Sequence, residues 1–295
     1  MARLGRIPLL VAALYVVAIP ARGEIRVVDD TGTTVVLQAP ARRIISLAPH
    51  VAELLYAAGA GPRLIATGEY SDYPPEAQSI PRIGDSASVD YERIVALKPD
   101  LVIGWGSGNP KHIIERLRAL GLTVYITELR HLEDIAKALE RLGHLAGTET
   151  VARAEAKRFR QRYQALQTRY AQRPPVRVFY QVLDPVLMTF SGQHLVGEIM
   201  RLCGADNVFA SLPVLASPIN EEAVLGADPE AIIAGGTEPV WNEWRPRWQR
   251  RAQIKAVQRG ALYFIPADLI HRQSTRVIEG AERLCAMVED ARGKR

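Results

Sequence analysis

One pattern in this chain occurs twice, and it limits the possible folds more than any other feature. Glu92-Arg-Ile-Val-Ala-Leu-Lys-Pro99-Asp-Leu-Val-Ile103-Gly returns in outline as Glu222-Ala-Val-Leu-Gly-Ala-Asp-Pro229-Glu-Ala-Ile-Ile233-Ala. Each copy reads as a glutamate, an apolar helical turn, a proline, an acid and a short buried strand. Glu53-Leu-Leu-Tyr-Ala-Ala-Gly59-Ala and Glu198-Ile-Met-Arg-Leu-Cys-Gly204-Ala form a second pair in the same order. Two segments repeated in one order imply two lobes built on one plan. Two such lobes enclose a cleft, and clefts of this kind hold small ligands.

The local patterns fill in that plan. Residues 25–37 alternate about Asp29-Asp-Thr-Gly32 and predict a small hairpin. Strands are expected at Arg43–Leu47, Leu64–Thr67, Leu101–Gly104 and Val124–Thr127. Helices are expected at His50–Ala58, Tyr91–Leu97, Lys111–Leu120 and Leu132–Ala146. Glu149–Gln172 lacks internal Gly and Pro and predicts one long helix ended by Pro174-Pro175. A second strand and helix series follows from Arg177 to Ala291. Alternation of strands and helices predicts an α/β fold: two lobes with parallel-rich sheets flanked by helices, joined by one long rigid helix. The expected divisions are a leader at 1–23, an N-terminal lobe at 24–147, the connecting helix at 148–173 and a C-terminal lobe at 174–295. A stiff helix fixes the spacing of the lobes, so only limited closure on a ligand is expected.

The first residues stand apart. Arg3 and Arg6 precede an apolar run from Ile7 to Pro20, and Ala21-Arg-Gly23 offers small residues for cleavage. This is the form of a secretory signal peptide. Removing residues 1–23 removes three arginines and no acids, taking the formal charge from +5 to +2. The nearly balanced remainder carries no basic block interleaved with aromatics, so nucleic acid is not an expected partner. Cys203 and Cys285 are the only cysteines. In an exported chain such a pair suggests a disulfide, with two buried thiols as the alternative. Neither cysteine has the spacing of a metal site, and no metal is expected. There is no G-x-S-x-G, HExxH or P-loop, and no G-x-G-x-x-G after a strand, so an enzyme is not expected.

Leader, first lobe, long helix and second lobe together resemble the periplasmic substrate-binding proteins of ATP-driven importers for cobalamin, haem and ferric siderophores. The stretches that carry the resemblance are Tyr70-Ser-Asp-Tyr-Pro-Pro-Glu-Ala, Glu92 to Ile103, Gly104-Trp105, Arg177-Val-Phe-Tyr-Gln, Cys203-Gly-Ala-Asp-Asn-Val-Phe, and Asp268 with Arg272. Together they cover nearly all of the chain from Arg43 onward. The cobalamin branch matches best, and its disulfide falls where Cys203 and Cys285 stand. What the resemblance implies is a periplasmic monomer without a cofactor that captures a corrinoid and delivers it to an inner-membrane ABC-type permease. A ferric siderophore or haem is the alternative cargo. Three departures matter: Ser86 and Ala216 are small where that branch has aromatic pocket residues, and the hairpin at 25–37 is more usual in the siderophore and haem branches.

A corrinoid is a large, flat ring edged with amides, so aromatic faces and a few convergent polar groups should hold it. Tyr70 and Trp105 sit in loops that follow strands of the first lobe, and Phe190 sits in an early loop of the second. The repeat aligns Ile103-Gly104-Trp105 with Ile233-Ala234-Gly235, so the segment after Gly235 should also face the cleft. Trp241 or Trp244 is therefore expected to replace the missing aromatic surfaces. The competing reading is a helix with Trp241, Trp244 and Trp248 packed inward. Asp268 and Arg272 could bond ring amides or a phosphate, or simply pair with each other. His50 is expected as a capping or surface residue, and His271 as a surface residue or a group near the metal centre. Glu92 and Glu222 open short helices on the outside of each lobe. By resemblance they dock on arginines of the permease.

Overall fold

The computed structural model describes residues 23–182 and 186–295. The expected signal peptide therefore lies outside the described residues apart from Gly23. Among the described residues no helix is long and apolar enough to cross a membrane.

The chain opens with the antiparallel hairpin of β1 (Ile25–Val28) and β2 (Thr34–Leu37). The first lobe follows as β3 (Ile44–Ser46), α1 (Pro49–Ala57), β4 (Leu64–Thr67), α2 (Tyr91–Ala96), β5 (Leu101–Trp105), α3 (Lys111–Ala119), β6 (Val124–Thr127) and α4 (Leu132–Ala146). Its four strands form an all-parallel sheet in the order β4-β3-β5-β6. Strands β3 and β6 are buried along their whole length, as expected for a parallel sheet covered on both faces. The hairpin docks on the edge of β6. The buried Asp29 accepts from the Ile126 N–H at 3.2 Å and Asp30 from the Glu128 N–H at 2.7 Å.

The connecting helix α5 spans Glu149–Tyr170, about 33 Å at 1.5 Å per residue. Ala152, Ala156, Phe159, Leu166 and Tyr170 form its buried face. It lies close against α4, because a Cβ at Gly143 would stand 2.2 Å from the Ala152 Cβ. Arg160 pairs with Glu133 and Glu140 on α4 at 2.7 and 2.6 Å.

The second lobe comprises β7 (Val176–Val182), β8 (Met188–Phe190), α6 (Leu195–Leu202), β9 (Ala205–Asn207), β10 (Ala216–Pro218), α7 (Glu221–Ala227), β11 (Ala231–Gly236), α8 (Glu238–Gln249), α9 (Lys255–Gln258), β12 (Leu262–Pro266), α10 (Ala267–Ile270) and α11 (Val277–Gly293). Arg162 of α5 pairs with Glu282 of α11 at 2.7 Å, so the connecting helix is held by both lobes. The sheet runs β10-β8-β7-β11-β12, with β9 also on β7. It is parallel across β9, β7, β11 and β12, but β8 and β10 are antiparallel additions that the sequence reading missed. Each has only three residues, too few to show an alternation. Cys203 at the end of α6 is bonded to Cys285 in α11.

The duplicated pattern has a structural cause visible in the hydrogen bonds. Asp90 and Asn220 cap α2 and α7, each accepting the N–H three residues on at 2.9 Å. Lys98 and Asp228 both take the left-handed conformation just before the proline, with φ of 46° and 43°. The acid after the proline then holds the neighbouring strand. Asp100 accepts from the Arg43 N–H at 2.9 Å and Glu230 from the Arg177 N–H at 3.0 Å. Those arginines return a bond to the helix end, Arg43 to the Leu97 carbonyl at 2.5 Å and Arg177 to the Ala227 carbonyl at 2.6 Å. Each copy is thus one joint that turns a helix into a buried parallel strand.

Candidate functional site

Trp105 is the last residue of β5, where a parallel sheet points its strand ends at a crevice. It lines a cavity of about 180 Å³ with Glu128 and Leu129 from its own lobe and Phe190, His194, Ala216 and Gln273 from the other. The glycine-rich loop after Trp105 does not leave the ring free on both sides. A Cβ at Gly108 would stand 1.7 Å from the indole, so the loop backbone lies on one face of the ring. His50 meets Trp105 edge-on, with ring centroids 5.2 Å apart. The expectation of a capping or surface role for His50 fails, because the residue is only 4% exposed. Burial, with the charge of Arg272 adding to it, lowers its pKa to about 3.

Phe190 comes from β8 in the second lobe and is 8% exposed. His194 lies flat against it, centroids 3.7 Å apart and planes 4° from parallel. Behind them Tyr180 hydrogen-bonds His271 Nε2 at 2.8 Å. That dyad needs Gly235, where a Cβ would meet the Tyr180 hydroxyl at 2.1 Å and His271 Nε2 at 2.7 Å. Burial pushes the Tyr180 hydroxyl pKa up and holds both imidazoles at about 4. His271 is therefore a neutral, half-buried ring held by the Tyr180 hydroxyl.

The tryptophans of α8 separate. Trp244 is 1% exposed and its Nε1–H donates to Gln181 at 2.7 Å, joined there by Trp248 at 2.9 Å. The expectation that Trp244 faces the cleft is corrected: residues 244 and 248 lie one helical turn apart on the buried side. Trp241 is half-buried and stacks on Trp244. It lines a separate cavity of about 480 Å³ with Gly236, Thr237, Phe264 and Asp268.

Arg272 is not an isolated partner of Asp268. It bonds Asp268 at 3.1 Å, Asp72 at 2.5 Å and Glu53 at 3.1 Å, the last two across the lobe boundary. Glu53 is 3% exposed. It also accepts from Ser274 at 2.5 Å and from Arg276 at 2.9 and 2.8 Å. These groups stand at the start of α11. Its counterpart in the repeat, Glu198 on α6, reaches the other way. Glu198 accepts from the Leu132 N–H at 3.1 Å and stands 3.3 Å from His131 Nδ1, at the start of α4. Each lobe therefore sends one glutamate to the N-terminal end of the other lobe's last helix, Glu198 to a backbone N–H of α4 and Glu53 to the side chains that precede α11.

Of the remaining expected residues, Tyr70 is 76% exposed and takes a left-handed φ of 62° in the loop after β4. Glu92 and Glu222 are exposed on the first turns of α2 and α7. Ser86 is exposed, whereas Ala216 lines the cavity beside Trp105. Sequence reasoning missed Glu53, Asp72, Arg276 and His194 as neighbours of the cleft. Glu53 carried a signal, since an acid flanked by Val51, Ala52, Leu54 and Leu55 on a buried helix needs a partner. Arg276 and His194 carried none.

Residues 44–269 match the periplasmic binding protein family. The vitamin B12-binding protein of Vibrio cholerae is 38% identical over 258 residues, covering 85% of this chain and 91% of that protein. The vitamin B12-binding protein of Photorhabdus laumondii is 38% identical, covering 86% and 90%. Among solved structures, the periplasmic vitamin B12 binding protein BtuF of Vibrio cholerae superimposes with a TM-score of 0.80 over 86% of this chain and 98% of that one. The periplasmic haem-binding protein BhuT shares the fold, with a TM-score of 0.75 at 20% identity.

Proposed function

The chain belongs to the periplasmic binding protein family, and from that premise we propose that it captures cobalamin or a related corrinoid between its lobes and delivers it to an ABC-type permease. It acts in the periplasm as a monomeric carrier, not an enzyme. The observation that carries this reading is the joining of two things. Aromatic rings from both lobes line one cavity, and the same chain matches vitamin B12-binding proteins across both lobes. Trp105 and the Phe190 stack offer flat apolar surface to a ring system. Ala216, small at the same wall, leaves room beside them. Tyr70, Trp241, Asp268 and Arg272 lie outside that cavity's lining and are proposed as outer contacts for the guest's periphery, with Arg272 suited to a phosphate or amide edge. Sites for drug-sized ligands are roughly 300–1,000 Å³, and a corrinoid is larger still. The cavity spans about 180 Å³, smaller than such a site, so the lobes part slightly at its mouth to admit the guest. The corrinoid brings its own enclosed metal, so the protein has no need to ligate it. Glu92 and Glu222, repeated once per lobe and exposed, are the contacts offered to the permease.

The test is a visible-absorption titration of the purified protein with cobalamin, cobinamide, haem and a ferric hydroxamate. Saturable binding of a corrinoid is expected. A Soret shift on haem addition, with no response to either corrinoid, would overturn the reading.

A further inference from the structure

The C-lobe wall of the cavity is not the ring that the sequence points to. Phe190 is 8% exposed, and His194 covers its face at a centroid distance of 3.7 Å with the planes 4° apart. Behind Phe190 lie Tyr180, stacked at 6.0 Å, and His271, edge-on at 5.3 Å. The three form a packed aromatic base, and His194 is the ring laid over it. His194 itself is half-buried and lines the same cavity as Trp105.

The orientation of His194 is fixed by the backbone. It is the N-cap of α6, and its Nδ1 accepts the Val196 N–H at 3.1 Å. An acceptor nitrogen carries no proton, so in the neutral ring the proton sits on Nε2. Nε2 has no hydrogen-bond partner among the described residues. Burial holds this imidazole near a pKa of 4, so the ring is neutral at neutral pH. An aromatic face and one fixed N–H donor are what a flat ring edged with amide carbonyls would use.

We propose that His194, and not Phe190, is the C-lobe ring that meets the guest, giving it a stacking face and a hydrogen bond from Nε2–H to a peripheral carbonyl. This rests on the corrinoid reading above. Phe190 then acts through His194, as the surface that holds the imidazole flat.

Two variants separate the contact from the cap. His194→Asn keeps a good N-cap and removes the ring. His194→Phe keeps a ring face but removes the donor and the cap. Cobalamin titrations of both are run beside wild type and Trp105→Ala, with melting temperatures for each. His194→Asn should bind about 10-fold or more weaker while melting close to wild type. His194→Phe should bind about 2- to 10-fold weaker, the worth of one neutral hydrogen bond. The proposal is overturned if both variants bind within about two-fold of wild type while Trp105→Ala binds weakly; His194 is then a helix cap only. A wild-type protein that binds no corrinoid overturns instead the reading on which the proposal stands.

Discussion

Glu53 is the residue whose removal should cost this protein most. Its side chain is 2% exposed and holds Arg276 at 2.8 Å and Arg272 at 3.1 Å, whose side chains are 18% and 15% exposed. Glu53→Ala leaves two guanidiniums facing each other with their common carboxylate gone. Arg272 keeps Asp72 and Asp268. Arg276 keeps the face of Tyr73, 3.9 Å away. Breaking one side of a buried pair costs about 3–5 kcal/mol, because the surviving charge stays desolvated. At about 2.1 cal/mol/K of unfolding entropy per residue, for a chain of this size that is a fall of roughly 5–9 °C in melting temperature. Glu198→Ala is the internal comparison. Its partner His131 is 65% exposed, and its other bonds come from single uncharged donors, the Leu132 N–H and the Tyr163 hydroxyl, at 3.1 and 3.3 Å. About 1 kcal/mol is expected there. The assay is thermal and urea unfolding of both variants and of Glu53→Ala/Arg276→Ala. The double variant should recover part of the loss, since the unpaired guanidinium is gone. Equal, small shifts for Glu53→Ala and Glu198→Ala would refute the reasoning that a desolvated ion cluster holds the lobes together.

Two further outcomes follow from groups described above. His50, His194 and His271 are held at about 3, 4 and 4, below the ordinary histidine value of 6.5. The unfolded chain therefore binds these protons near pH 6.5 while the native protein does not. Their contribution is complete above about pH 6.5 and drains away as the pH falls towards 4, by at most about 1.4 kcal/mol per pH unit for each ring. Urea midpoints at pH 7, 6 and 5 should fall in step, less steeply in His271→Gln, and a flat profile would contradict the lowered pKa values of these rings. Separately, Glu92→Ala/Glu222→Ala should abolish ligand uptake through the reconstituted permease and leave corrinoid affinity near wild type. Normal uptake by that double variant would remove the docking role.

The regular parts of the fold were legible because local rules agree with the tertiary outcome. Glu149–Tyr170 has no breaker before Pro174, and Leu64–Thr67 and Val124–Thr127 are short apolar runs between turn signals. Trp105 was legible as a residue beside a crevice, but it was expected in the loop and in fact closes β5. The α8 tryptophans were not, because spacings of three and four fit an inward face as well as an outward one, and the choice depended on Gln181 lying within reach of two indole N–H groups. The three-residue strands β8 and β10 were hidden for lack of length. His194 was hidden because nothing in its neighbours announces that Phe190 lies beneath it.

By itself the sequence determined the two-lobed plan. The duplicated joint is a local object, in which a cap, a left-handed residue, a proline and an acid lie within eleven positions and interact mostly with one strand. The tertiary structure alone decided which groups face one another across the lobe boundary. Glu53 reaches residues more than two hundred positions away, Glu198 reaches back to α4, and His194 comes to line one cavity with Trp105. Contacts at that separation depend on how two finished sheets are set against one helix, and no period or spacing along the chain encodes that placement.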